Sequence, residues 1–204
     1  MIAVDNTFLS LLFHPDAKPP NNPQTGAPIH RLNERIDDLM EQWRIDRERI
    51  LIPTPALSEF LFLADNDGPA YLAEIDSDSI FKIGSFDQKA AIELAALNLD
   101  IKKGLSKSKA KREEQTTDTK TKIKFDKQIV AIAIANDATT IYSDDEGVKK
   151  FAAQASILVV KSWQLPLPRA KQLKFPVEDK PAAKRASTKK TSTKRQKAVE
   201  DEEN

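Results

Sequence analysis

Apolar residues gather along the chain in short runs set between stretches of helical period. Ile2-Ala3-Val4, Ile50-Leu51-Ile52, Ser79 to Gly84, the start of Thr139 to Asp145, and Ile157 to Val160 have the length and β-branched content of strands. Between them the period lengthens. Phe8, Leu9, Leu11, Leu12 and Phe13 share a face of one short helix, and Leu32, Ile36, Leu39, Met40 and Trp43 recur at helical spacing between Ile29 and Arg47. Leu57, Phe60, Leu61 and Leu63 follow Thr54 and Pro55, a cap and a first-turn proline. Asp87 caps an Ala-rich helix reaching Leu99, Asp126 opens a helix through Ile129, Ala131 and Ala133, and Val148, Phe151 and Ala152 mark another. This alternation predicts an α/β fold, an α/β/α three-layer sandwich around a central, mostly parallel sheet.

Three stretches break the pattern. His14 to Pro28 holds five prolines with Asn21, Asn22 and Gly26, and reads as a loop, a lid or an insertion. Residues 102–124 and 169–204 are rich in Lys, Ser and Thr, and their composition predicts a mobile segment and a disordered tail. One domain over residues 1–168 is expected. The balance of 32 basic against 31 acidic residues conceals an asymmetry, because without those two segments the body has 12 basic against 22 acidic residues. With no cysteine, disulfides and thiolate metal sites are excluded. Neither a leader peptide nor a membrane span is read from the apolar runs, which leaves a cytoplasmic protein as the expectation.

Four segments end or begin on an acid. Asp5 follows the first strand, Glu59 lies one turn into the helix after the second, Asp126 starts a helix, and Asp144 and Asp145 close a later strand. Any one of them reads most simply as a cap or a solvated side chain. At the carboxyl edge of a parallel sheet, however, they could meet in one cleft and bind metal. His14 and His30, beside the proline-rich loop, read as surface residues, and Trp43 and Trp163 fit packing at least as well as base stacking.

In order and spacing these pieces resemble the PIN domain, a family of metal-dependent nucleases that includes the virulence-associated toxin ribonucleases of bacterial toxin–antitoxin pairs. The resemblance rests on Ile2-Ala-Val-Asp5-Asn-Thr-Phe-Leu, Ile52-Pro-Thr-Pro-Ala-Leu-Ser-Glu59-Phe, Ile83-Gly-Ser-Phe-Asp87, Asp126 with Ile129, Ala131 and Ala133, and Ser143-Asp-Asp145. It implies that Asp5, Glu59, Asp126 and Asp145 hold one or two divalent ions, with the Ser143 hydroxyl as a positioning group. A strand ending one residue earlier would turn Asp144 inward instead. Asp87 matches a residue common in the family but is explained as a cap.

Carboxylates crowded together repel one another unless a cation neutralises them, and an all-oxygen set suits Mg²⁺ or Mn²⁺ better than Zn²⁺. The implied activity is endoribonuclease hydrolysis of RNA, toxin-like or RNA-processing, with Glu59 as a ligand or water-orienting base. An RNA substrate, a cognate antitoxin protein and a homodimer are the implied partners. The other reading is a catalytically inactive PIN-fold module that binds RNA or protein. A haloacid-dehalogenase-type phosphohydrolase is set aside because Thr7 stands where that family needs its second Asp. The basic segments, 102–124 and Lys180 to Lys197, could draw in a nucleic-acid backbone by a salt-sensitive, sequence-independent attraction, or serve only solubility.

Overall fold

The computed structural model describes residues 1–14, 18–104 and 117–168. Five strands, β1 (Ile2–Val4), β2 (Ile50–Pro53), β3 (Phe81–Gly84), β4 (Thr140–Tyr142) and β5 (Leu158–Val160), form one sheet in the order β3-β2-β1-β4-β5. Every pairing is parallel. Parallel neighbours need crossovers, which the helices supply. These are α1 (Asn6–Phe13), α2 (Leu32–Ile45), α3 (Thr54–Leu63), α4 (Gly68–Ser77), α5 (Gln88–Gly104), α6 (Thr117–Ala135) and α7 (Glu146–Ala152).

Strand side chains alternate between two cores, as a period of two requires. Ile2, Val4, Ile50 and Ile52 join Phe8, Leu9, Phe13, Ile36, Trp43 and Phe60 on one face. Ala3, Leu51 and Ile141 join Ala90, Leu97, Val130, Ile132, Val148 and Phe151 on the other. The expected three-layer α/β/α architecture is therefore what forms. Gly84 fixes the spacing on the second face, since a Cβ there would lie 2.8 Å from both Ile132 Cγ2 and Leu51 Cδ1.

Local differences from the sequence expectations have physical causes. Helix α4 occupies a stretch where no element was expected; Gly68 and Pro69 begin it, and Ile75 buries its apolar side. Strand β3 is shorter than the expected run from Ser79, because the Asp78 side chain caps the turn by accepting from the Ile80 N–H at 3.1 Å. Residues 102–104 and 117–124 of the basic stretch are helical, whereas 105–116 and the tail at 169–204 lie outside the described residues. The described part of the proline-rich loop closes on itself through an Asn21–Pro28 bridge, with Gly26 at φ +70° accommodating the turn. His14 is not a free surface residue, since its Nδ1 lies 3.1 Å from the Tyr71 hydroxyl and its ring packs on Phe60 and Tyr71. Trp43 is buried edge-on against Tyr142, as a packing residue. No helix among the described residues is long and apolar enough to cross a membrane.

Candidate active site

The order β3-β2-β1-β4-β5 places a topological switch point between β1 and β4. From β1 the chain winds outward to β3, then returns across the sheet to β4 on the other side. Outside the carboxyl ends of strands at such a point, open α/β sheets leave a crevice. Here a cavity of about 560 Å³ occupies it, lined by Asp5, Glu59, Asp126 and Asp145 together with Lys122 and Asn6.

Asp5 is the residue at which β1 stops and α1 starts. Its backbone N–H still pairs with the Tyr142 carbonyl at 3.2 Å, continuing the sheet. Its Oδ1 accepts the Phe8 N–H at 2.9 Å, capping the helix. The Ser143 hydroxyl also donates to this carboxylate. With only 4% of its surface exposed, Asp5 loses hydration that these hydrogen bonds only partly replace. Burial therefore pushes its pKa up to about 7, with the charges of Asp144 and Asp145 adding to the rise.

Asp126 reaches the cavity from a different position than its sequence suggested. It does not open a helix: α6 begins at Thr117, nine residues earlier, because Ile123 extends the apolar face by a turn and packs on the core. The carboxylate instead points toward the start of α7, where the absence of a side chain at Gly147 makes room. A Cβ at Gly147 would lie 2.1 Å from Asp126 Oδ2. Burial raises Asp126 to about 6, with Asp145 and Glu59 contributing and Lys122 opposing.

The alternative between Asp144 and Asp145 is decided by hydrogen bonds. Asp144 turns away from the cavity: its Oδ1 accepts the Ser162 N–H at 2.7 Å and its Oδ2 the Ser162 hydroxyl at 2.6 Å. Asp144 was the other residue expected to face a metal; in the structure both of its oxygens fasten the loop, and it is not among the residues that line the cavity. Lys161, 2% exposed, completes that fastening by donating to the Asp144 carbonyl at 2.9 Å and pairing with Glu146 at 3.0 Å. So clamped, the loop turns Asp145 into the cavity. Its backbone N–H donates to Ser143 Oγ at 3.0 Å, and its Oδ1 accepts the Gly147 N–H at 2.6 Å. Ser143, wholly buried, thus links Asp5 to Asp145. Burial acts to raise Asp145, but Lys122, the Gly147 N–H and the charge of Lys161 outweigh it and hold it below the usual carboxylate range.

Glu59 projects from the exposed side of α3 into the mouth of the cavity. Asp87 caps α5 by accepting the Ala90 N–H at 2.9 Å and lies outside the lining. Reading the sequence did not single out Lys122, Asn6, Gly147 or Lys161. Lys122 stands one helical turn before Asp126, an i,i+4 spacing that could have marked it once the helix was known to start upstream. Its Nζ lies 2.7 Å from Asp145 Oδ2, and Asp145, Asp126 and Glu59 all act to raise its pKa.

The donor set is oxygen throughout, the chemistry a hard divalent cation prefers. Asn6 Oδ1, beside Asp5, adds a buried acceptor that has no hydrogen-bond partner among the described residues. Among the described residues, no three carboxylates converge tightly enough to hold one ion as they stand. The residues therefore fit such an ion in kind, and side-chain movement has to complete the fit.

No protein-family model matches the chain, and neither does any curated protein. Among solved structures, the chain is similar to DNA-bound VapBC from Salmonella typhimurium, at 12% identity and TM-score 0.45 over 79% of this chain and 97% of that one. It is also similar to VapBC2 from Rickettsia felis bound to a promoter DNA fragment, at 17% identity and TM-score 0.46 over 79% and 98%. A third similarity is to VapC20 of Mycobacterium tuberculosis, described as a Sarcin-Ricin loop cleaving toxin, at 12% identity and TM-score 0.45 over 78% and 97%. These likenesses are remote, and the functional reading rests on the residues of the cavity.

Proposed function

We propose that this protein is a metal-dependent endoribonuclease of the PIN type, hydrolysing RNA phosphodiester bonds at the carboxylate cavity. The observation that supports this most is that Asp5, Glu59, Asp126 and Asp145, drawn from four separate elements, line one cavity at the switch point. Asp5 and Asp145 also cap α1 and α7, but Glu59 and Asp126 lie within α3 and α6, cap neither helix, and still line the same cavity. Mg²⁺ or Mn²⁺ would be held by Asp5, Asp126 and Asp145, and when bound supplies charge neutralisation for the phosphodiester and acidifies water.

The chain's own groups do the rest. Ser143 fixes the mutual orientation of Asp5 and Asp145. Glu59, the most exposed acid of the set, is placed to orient water and accept its proton. The buried pair Asp5 and Asp126, both pushed up by desolvation, would hold a divalent ion as carboxylates once its charge offset theirs. A small DNA-binding antitoxin and a second copy of the chain are the protein partners this reading brings with it.

Purified protein is to be assayed on RNA with Mg²⁺ or Mn²⁺ and with chelator, beside Asp5→Asn and Asp126→Asn. Cleavage that needs the metal and is lost in both variants is expected. Activity surviving both substitutions would sink the assignment.

A further inference from the structure

We infer that Lys122 is the resident counter-ion of the carboxylate cavity and has to be exchanged for the divalent cation before the site is loaded. The inference rests on the metal-site reading and concerns a residue that reading does not use.

Three observations carry it. First, the Lys122 ammonium lies 2.7 Å from Asp145 Oδ2, on the oxygen left free by the Gly147 N–H. Second, Lys122 is the one cationic residue among those lining the described cavity, where it faces Asp5, Glu59, Asp126 and Asp145. Third, among the described residues no three carboxylates come close enough together to hold one ion in the arrangement that has Lys122 on Asp145. A monovalent ammonium can satisfy one carboxylate at hydrogen-bond distance, whereas a divalent ion needs several oxygens at once. With both on Asp145 Oδ2, the ammonium would stand beside a divalent cation, and the repulsion between the two charges favours exchange over sharing.

The arm is built to leave. Its side chain is 65% exposed, against 23% for Asp145, and four methylenes let the ammonium swing to the cavity mouth without moving α6. Once displaced, it stays tethered one turn from Asp126, within reach of an anionic phosphodiester entering the same mouth. Lys122 would thus neutralise the acids before loading and meet the substrate's charge after it.

The test is Mn²⁺ titration by calorimetry on the full chain, comparing wild type with Lys122→Met, Lys122→Arg and Lys124→Met. Lys124 is an exposed lysine on the same helix but outside the cavity, so it controls for general charge. Lys122→Met is expected to bind Mn²⁺ about five- to tenfold more tightly, the scale of a partly exposed charge-assisted pair. Lys124→Met is expected to change affinity less than about twofold, because screening weakens exposed charges at a distance. Lys122→Arg is expected to return to the wild-type value. An affinity for Lys122→Met equal to that of Lys124→Met, with binding still measurable, overturns the role of Lys122 alone. Absence of Mn²⁺ binding in every protein removes the metal site itself.

Discussion

Replacing Asp5 with Asn should stabilise the metal-free protein at neutral pH while abolishing its response to metal. The carboxyl is buried and its pKa lies at about 7 instead of 3.8. The folded state therefore holds a proton that the unfolded chain has already released above about pH 4, and stability falls as pH rises between the two values. Each pH unit in that window costs about 1.4 kcal/mol, so the full interval amounts to about 4 kcal/mol. From about pH 5 to about pH 7 the wild type should lose about 3 kcal/mol from this group, with Asp126 adding to the same slope. Asp78, Asp145 and Glu146 are held below their ordinary values and contribute stability that is lost only at lower pH, outside the window. Asn keeps an acceptor oxygen for the Phe8 N–H, and the Ser143 hydroxyl can accept from its amide. Urea unfolding in chelator, at several pH values, reads the difference directly. The expected result is a flatter pH profile for Asp5→Asn and a stability gain at pH 7 of about 2–4 kcal/mol. Added Mn²⁺ should then raise the wild type and not the variant. An Asp5→Asn protein no more stable than wild type at pH 7 in chelator would refute the reasoning.

Gly147→Ala should disturb Asp126, since the new methyl would lie 2.1 Å from its Oδ2 and 3.1 Å from Asp145 Oδ1. A stability loss of about 1–3 kcal/mol by urea unfolding is expected, with about a 10- to 100-fold drop in Mn²⁺ affinity by titration. Asp144→Asn and Asp145→Asn should separate cleanly. The first weakens the clamp on Ser162 and costs about 1–2 kcal/mol of stability with Mn²⁺ affinity kept within about threefold. The second leaves the clamp intact and loses metal binding, and a reversal of the two outcomes in the same titration would contradict the assignment.

The fold was legible because its strands alternate so regularly: Ile2 and Val4 against Ala3, and Ile50 and Ile52 against Leu51, each pair of faces meeting its own core. Asp5 was legible for a related reason, as the polar residue that ends a buried run and caps the next helix. Glu59, Asp126 and Asp145 could be nominated but not oriented. Whether Asp144 or Asp145 faces the cavity depends on Lys161 and Ser162, which are distant in sequence and carry no local signal. The start of α6 is hard to read because Lys and Thr dominate the stretch before Asp126, whereas Ile123 packs on the core one turn upstream. With that start misplaced, Lys122 read as part of a solvated basic run, and its seat on Asp145 was out of view.

The clamp on Asp144 also has a meaning in time. Its fixed partners, Lys161 and Ser162, follow β5 and are synthesised after every acid of the cavity. A chain emerging from the ribosome can pair β1 with β2 and bring in α6 before those two residues are free, since folding proceeds from the N-terminal side during synthesis. Until they dock, the Asp144 side chain lacks the Ser162 groups that fasten its loop. The order of translation therefore leaves that loop unfastened until residue 162 has been made, so on the proposed nuclease reading a nascent chain would lack a finished site beside the RNA that encodes it.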